Sequence, residues 1–409
     1  MGITVFPAAS GGTSYSSQPP ASASKVLLDG QLVTASSITT SVTGTGAPWL
    51  LYANGAGTTT FTVGSDTYTV PAGSTVGTSA YTGSQSVSVA ANSFGTSPAP
   101  ATFTASTMPS GGSSAGYYGV AYGNGYFVAV SYSSAGAYST NGTTWTASTM
   151  PSASNWNSVA YGNGYFVAVA KNTTAGAYST NGTTWTASTL PSNSAWFGVT
   201  YGNSKFVAVQ GSGTTAGAYS TNGTTWTAST MPSSAGWFSV TYGNGYYVAI
   251  QASGTTDGAY STNGTTWTAS TMPSASTWYD VAYGLIGATP TYVAVQASAT
   301  TAGAYSTNGT SWTASTMPSG GSSVGWTTVA YGNGYFVAAA NGTTAGAYST
   351  NGTTWTASTM SSASMWNRIT YGNGYYVAVQ ISGTTAGAYY AFPPLPVAYG
   401  IYNGATVRA

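Results

Sequence analysis

The chain has 409 residues, of which 2% are charged, against roughly 25% in ordinary globular proteins. It contains no His, no Cys and no Glu, and its formal net charge is +1. Without a basic cluster it has no means of neutralising nucleic-acid phosphates and no polybasic route to a membrane, and without cysteine it has no disulfide framework.

Taken in chain order, residues 1–24 carry Pro19-Pro20 and many serines, the composition of an extended arm. Their opening, "MGITVFPAASGG", lacks the basic n-region and long apolar core of a secretory signal, so synthesis without a signal peptide is expected. Residues 25–100 contain short alternating stretches such as "TTTFTVGSDTYTVPAG", read as a small β-rich anchoring domain. Residues 101–390 are repetitive, and 391–409, beginning near "AFPPLPVAYG", read as a C-terminal tail.

The repeat is carried by "VAYGNGYFVAV" and its variants. The first tyrosine of each copy is Tyr122, Tyr161, Tyr201, Tyr242, Tyr283, Tyr331 and Tyr371, a mean spacing of about 41 residues, within the range of four-stranded propeller blades. One unit reads as "WNSVAY", a Gly-Asn-Gly turn, "YFVAV", a Thr- and Gly-rich loop, "GAYST", an Asn-Gly turn and "TTWTAST". These are four short strands rich in β-branched and aromatic residues, joined by hairpin signals. The second half of the unit, ending in Trp, has only six full copies. An upstream "TFTAST" at 102–107, with Phe103 at the Trp position, supplies the missing one. The expected fold is therefore all-β: a seven-bladed β-propeller of four-stranded blades, closed by an N-terminal strand and preceded by the small β-rich domain.

The recurring turn places Asn141, Asn181, Asn222, Asn263, Asn308 and Asn351 four residues before Trp145, Trp185, Trp226, Trp267, Trp312 and Trp355. An Asn side chain can bind local amides in a tight turn, and the Trp can pack between sheets. The stretch "STNGTTW" resembles the Asp-box of sialidases and other propeller proteins, Ser-x-Asp-x-Gly-x-x-Trp. Ser179 and Trp185 match, Asn181 stands for the Asp, and the spacing is one residue shorter. The resemblance implies a propeller and a structural role for these residues.

Sialidase chemistry does not follow from it. Such enzymes use an arginine triad and a Tyr–Glu pair, whereas this chain has two arginines, Arg368 and Arg408, and no Glu. Glycoside hydrolysis generally uses two flanking carboxylates, and the ring holds only Asp257 and Asp280, in different repeats. Metal and Ser–His chemistry lack their ligands and base. No catalytic residue, metal or cofactor is expected, and the protein reads as non-enzymatic.

The differences between copies mark candidate positions. Two residues after the Trp that opens the first strand stand Ser158, Gly198, Ser239, Asp280, Thr328 and Arg368, with Gly119 in the first copy. If this position lines the central channel, Asp280 and Arg368 form a channel pair facing each other across it. Trp156, Trp196, Trp237, Trp278, Trp326 and Trp366 are either sugar-stacking platforms or packing between blades. The fifth repeat replaces its Asn-Gly turn with "YGLIGATPTY", a longer loop suited to contacting a neighbour.

The repeats "YGNGxFVAV…YSxDGxxW" resemble those of bacteriophage fibre, tail and capsid-decoration proteins. That resemblance implies a virion structural protein, attached to other virion proteins through residues 1–100 and present in several copies in an assembly. A lectin-like adhesin that binds host-surface glycans through repeated blade sites is the alternative. Neither nucleic acid nor membrane is expected as a partner.

Overall fold

The computed structural model describes residues 38–53, 59–70, 74–89, 99–110, 116–297, 301–319, 325–381, 386–392 and 400–402. The arm expected at 1–24 lies outside them, as does Arg408. The chain forms two compact units, one of Met1–Pro98 with Phe392–Ala409 and one of Ala99–Ala391.

The first unit holds a five-stranded antiparallel sheet in the order Asp66–Val70, Thr59–Val63, Ser74–Val89, Ile38–Ala53, Gly400–Tyr402. Its two long strands pair from Ile38↔Val89 to Ala53↔Ser74, with register shifts on either side of Pro48. Proline has no N–H to give a ladder, and a bulge is where a paired strand tolerates it. The edge strand comes from the C-terminal stretch, through Leu50↔Tyr402 and Tyr52↔Gly400.

The second unit is an all-β propeller with four-stranded blades. In the second repeat Asn155–Gly162, Tyr165–Lys171, Thr173–Ser179 and Thr186–Ser194 pair antiparallel in sequence order. Five such four-stranded sheets cover the first five repeats. The expected seven separate blades are not formed, because the ring contains six sheets. The sixth is six-stranded, in the order Trp326–Gly332, Tyr335–Ser349, Thr356–Gly372, Tyr375–Gln380, Ala386–Ala391, Thr104–Thr107. Here the last two repeats share the strand Thr356–Gly372, which runs straight through their connector. Two local features explain the fusion. Ser361 stands where the other connectors have Pro, as in Met150-Pro151 and Met317-Pro318, so an N–H and a free φ are retained there. The preceding hairpin also extends outward and pairs with the connector through Asn341↔Met365 and Thr343↔Ser364. A similar Thr173↔Ser194 pair forms in the second repeat, but that strand ends at Ser194.

The N-terminal segment Thr104–Thr107 closes the ring, pairing as Ala388↔Ala105 and Tyr389↔Thr104. Parallel bridges then link each repeat to the next, including Thr107↔Thr144, Thr149↔Thr184 and, across the closure, Thr102↔Thr359. The core runs between repeats as well as within them. Val128 and Val130 of the first pack with Trp156, Phe166 and Trp185 of the second, all of them buried. Burying a side chain of this size contributes about 1.5–3 kcal/mol, so the apolar core itself holds neighbouring repeats together.

In five repeats the hairpin between first and second strands turns on an Asn-Gly pair at positive φ, such as Asn163 (48°) and Gly164 (81°). This is the left-handed geometry that two-residue hairpins favour. The third repeat has Ser204 at φ 59° where five other repeats have Gly. A left-handed conformation costs an L-residue about 1–2 kcal/mol, so Ser204→Gly is expected to stabilise the ring by about 1 kcal/mol. An increased urea midpoint would register the gain, and an unchanged or lower one would count against this account of the turn.

Candidate functional site

Each first strand carries a β-bulge at the same place. Its register shifts between Trp156 and Ser158, Trp196 and Gly198, Trp237 and Ser239, Trp278 and Asp280, Trp326 and Thr328, and Trp366 and Arg368, with Tyr117 and Gly119 equivalent in the first repeat. A bulge re-aims the side chain of its extra residue. That residue is Tyr118, Asn157, Phe197, Phe238, Tyr279, Thr327 or Asn367. The bulge position thus receives aromatic or amide side chains in six repeats and Thr327 in the other.

Six of these seven residues, Tyr118, Asn157, Phe197, Phe238, Tyr279 and Asn367, line a cavity of about 220 Å³ together with Tyr132, Lys171 and Arg368. The first strands begin here and the second strands end here, so this mouth lies at the connector end of the sheets. The Asn-Gly turns lie at the other end. Tyr118 and Tyr132 stack with ring centroids 3.3 Å apart, Phe197 and Phe238 stack at 4.0 Å, and Phe238 meets Tyr279 at 4.7 Å. The Lys171 Nζ sits 4.7 Å over the Phe197 ring, a cation–π contact. Asn157 accepts a hydrogen bond from the Tyr132 hydroxyl and donates to the Phe197 carbonyl at 2.7 Å, while Asn367 donates to the Tyr118 carbonyl at 2.6 Å. These amides lock neighbouring repeats around the mouth.

The phenols of Tyr118, Tyr132 and Tyr279 are all pushed above the ordinary tyrosine value, chiefly by burial; the Arg368 charge partly opposes the rise at Tyr132 and Tyr279. They stay neutral at physiological pH, and each keeps an O–H to donate.

One residue further along each strand, six of the seven repeats reach a second, inner opening. Gly119, Ser158, Gly198, Ser239, Asp280 and Arg368 line a second cavity of about 300 Å³ there. Asp280 and Arg368 share it, but the expected facing pair is not formed. Asp280 is buried and turned into the sheets on both sides. It accepts from Ser239 Oγ at 2.7 Å, Thr328 Oγ1 at 3.1 Å and the Val329 N–H at 3.0 Å. With the Val281 N–H on Oδ1 at 3.1 Å, each carboxylate oxygen accepts two hydrogen bonds, which leaves nothing aimed across the channel. Ser158 and Thr328 make the equivalent link, accepting from the Val199 and Ile369 N–H groups of the next repeat. Arg368 donates from Nη1 to the Asn367 carbonyl at 3.1 Å and lines both cavities.

The box residues lie at the far end of each sheet and close a turn. Asn181 Oδ1 accepts from the Thr183 and Thr184 N–H groups at 3.0 and 2.9 Å, and Ser179 Oγ from the Gly182 N–H at 2.9 Å. The same pattern recurs at Asn141, Asn222, Asn263, Asn308 and Asn351. Trp145, Trp185, Trp267 and Trp355 are buried, while Trp226 and Trp312 are half-buried.

The strand-opening tryptophans are not platforms. Trp156, Trp196, Trp237, Trp278, Trp326 and Trp366 are almost fully buried. Trp156, for example, donates from Nε1 to the Ser152 carbonyl at 3.0 Å. The partly exposed aromatics are Tyr118, Phe238 and Tyr279, immediate neighbours on the bulges, while Phe197 is buried; sequence reasoning passed over them by looking one residue too far along. The signal was present as the variety at that one position. The long hairpin of the fifth repeat extends its pairing to Ile286↔Thr289, and Tyr331 of the next repeat donates its hydroxyl to the Leu285 carbonyl.

Among the described residues no group of three or more His, Cys, Asp or Glu could hold a metal. No family model and no curated protein matches the chain. Its fold is similar to solved propellers. A streptogramin B lyase structure aligns with TM-score 0.60 and 14% identity over 71% of this chain and 98% of its own. A virginiamycin B lyase from Staphylococcus aureus, in a catalytically inactive histidine-to-alanine form with quinupristin, aligns with TM-score 0.60 and 12% identity over 70% and 99%. YCF48 bound to D1 peptide aligns with TM-score 0.55 and 16% identity over 72% and 99%. At these identities the likeness is one of fold: the chain is an all-β propeller with four-stranded blades.

Proposed function

We propose that the protein is a non-enzymatic structural component of a bacteriophage particle, a fibre, tail or capsid-decoration protein. In this reading the first unit attaches it to other virion proteins and the ring is displayed for contact with the host surface. The observation that carries the displayed role is the contrast within the ring. Near-identical strands form the scaffold, and the varied residues gather at one mouth, as expected of a recognition surface on a rigid frame. The virion assignment is supported by the resemblance of the repeats to those of phage structural proteins. Lyase chemistry is not carried over from the structural neighbours: the variant with quinupristin loses activity with a histidine, and this chain has none.

The test is mass spectrometry of purified particles from the source culture, with copy number counted against the capsid and tail proteins. The chain is expected in the particle at stoichiometric, multi-copy level. Its absence from particles would overturn the reading. A chain starting at Ala99 is expected to fold as a ring yet fail to incorporate, and its normal incorporation would refute attachment through the first unit.

A lectin-like adhesin is the second reading. The observation in its favour is the set of aromatic rings, amides and cations at the mouth, the groups from which sugar sites are made.

A further inference from the structure

The charges of the ring are few enough to follow individually. Among its described residues the cations are Lys171, Lys205 and Arg368, and two of them reach the same mouth. Lys205 lies at the opposite end of the sheets, donating to the Asn263 carbonyl at 3.0 Å. No carboxylate lines the mouth. Asp280, the nearest acid in sequence, faces the axial cavity and has its oxygens taken by Ser239, Thr328 and Val329. The mouth is therefore a positive site without an internal counter-charge.

Its donors are also largely unspent. Lys171 makes only its contact with Phe197, and Arg368 uses one N–H on Asn367, although a guanidinium has five to give. Tyr118 and Tyr279 engage other groups through their rings. Their hydroxyls have no hydrogen-bond partner among the described residues.

The remaining wall is aromatic, with Phe197, Phe238 and Tyr279 forming a continuous run across three repeats. The enclosed space of about 220 Å³ is smaller than the roughly 300–1,000 Å³ of pockets for drug-sized ligands. It suits an occupant about the size of one sugar ring. Such a ring offers an apolar C–H face to an aromatic wall and hydroxyls to amides and phenols. The two uncompensated cations add the requirement of a negative charge.

We propose that the mouth binds a single acidic sugar unit, a uronate. Its carboxylate is held by Arg368 and Lys171, and its apolar face lies on the Phe238–Tyr279 rings. This inference rests on the reading of the ring as a recognition surface and names the chemistry that surface selects. Neutral sugars leave the two cations unpaired in a partly buried site, which disfavours them.

The experiment is titration calorimetry of the full chain with a glucuronate-containing oligosaccharide, its carboxyl-reduced counterpart and a glutamate-rich peptide of equal charge. Saturable binding of the acidic sugar is expected, at least about tenfold tighter than that of the reduced form, since reduction removes the charge-assisted hydrogen bonds. Arg368→Gln and Lys171→Gln are each expected to weaken it by about tenfold or more, and Tyr279→Ala to weaken acidic and reduced sugars alike. Lys205→Gln is expected to bind as the parent does. Near-UV circular dichroism checks the fold of each variant. Lys171 lies at the end of its strand and makes only the Phe197 contact, so its variant provides the test should Arg368→Gln fail to fold. Equal binding of acidic and reduced sugars, tighter binding of the peptide, or no saturable binding would each overturn the proposal. Particle composition is a separate readout. A chain found in particles that binds no uronate refutes only the site, and a chain that binds uronate but is absent from particles refutes only the virion assignment.

Discussion

A fragment spanning Met108–Ala391 is expected to lose the folded ring, whereas Ala99–Ala391 keeps it. The nine residues that separate the two fragments hold the closing strand, Thr104–Thr107, which completes the last sheet beside Ala386–Ala391. Phe103 is buried, its amide donates to the Thr359 carbonyl at 2.8 Å, and the Thr359 amide donates back to Ala101 at 2.9 Å. Phe103 also lies against Tyr390, with ring centroids 6.0 Å apart. Removing the segment uncovers a buried aromatic contact of about 1.5–3 kcal/mol. It also breaks a ladder and the bridges to Thr359 and Thr144, each hydrogen bond contributing about 1 kcal/mol. Together these losses approach the roughly 5–15 kcal/mol by which a whole domain is stable. They also leave an open sheet edge prone to pairing with other chains. Urea unfolding followed by tryptophan fluorescence, with light scattering for association, makes the comparison. Equal midpoints for the two fragments would show that the ring does not depend on its closing strand.

That closure was legible in the sequence because a displaced copy of a repeated element can be counted. The Asn-Gly boxes were legible for the same reason, and for a local one: an Asn four residues before a Trp folds its own turn from backbone amides near in sequence. The fused sheet was not legible. It depends on Ser361 replacing a proline and on a hairpin long enough to reach the connector, and the pairing Asn341↔Met365 appears in no local pattern. The mouth was missed for a geometric reason. Strand alternation directs attention to residues two apart, and that spacing led to Asp280 and Arg368 on the axis. A bulge inserts one residue that breaks the alternation. It puts Tyr118, Phe238 and Tyr279 at the opening while their neighbours Tyr117, Trp237 and Trp278 go to the core. Period-two reading has no means of showing that step.

Gly162→Ala is expected to destabilise the ring by about 3 kcal/mol, and Gly164→Ala, two residues away in the same hairpin, by only about 1 kcal/mol. The two glycines are required for different reasons. Gly164 sits at φ 81°, and a Cβ there meets nothing within 4 Å, so its cost is conformational. A Cβ on Gly162 falls 2.0 Å from Cγ of Tyr201 in the next repeat. That carbon is at the base of the ring and cannot swing away. Tyr201 in turn leans on the buried Phe206 at 4.8 Å, so relief has to come from moving the two repeats apart. The same approach recurs from Gly202 on Tyr242 to Gly372 on Tyr122, the last of which joins the final repeat to the first. This contact therefore helps set the spacing between repeats, and with it the spacing of the bulge residues around the mouth. Adding Tyr201→Ala to Gly162→Ala is expected to recover part of the loss, with a coupling of about 1 kcal/mol or more, whereas the same change on Gly164→Ala recovers nothing. Equal costs for the two glycine variants, or strictly additive effects in both pairs, would mean that the Gly–Tyr contact does not hold neighbouring repeats at their distance.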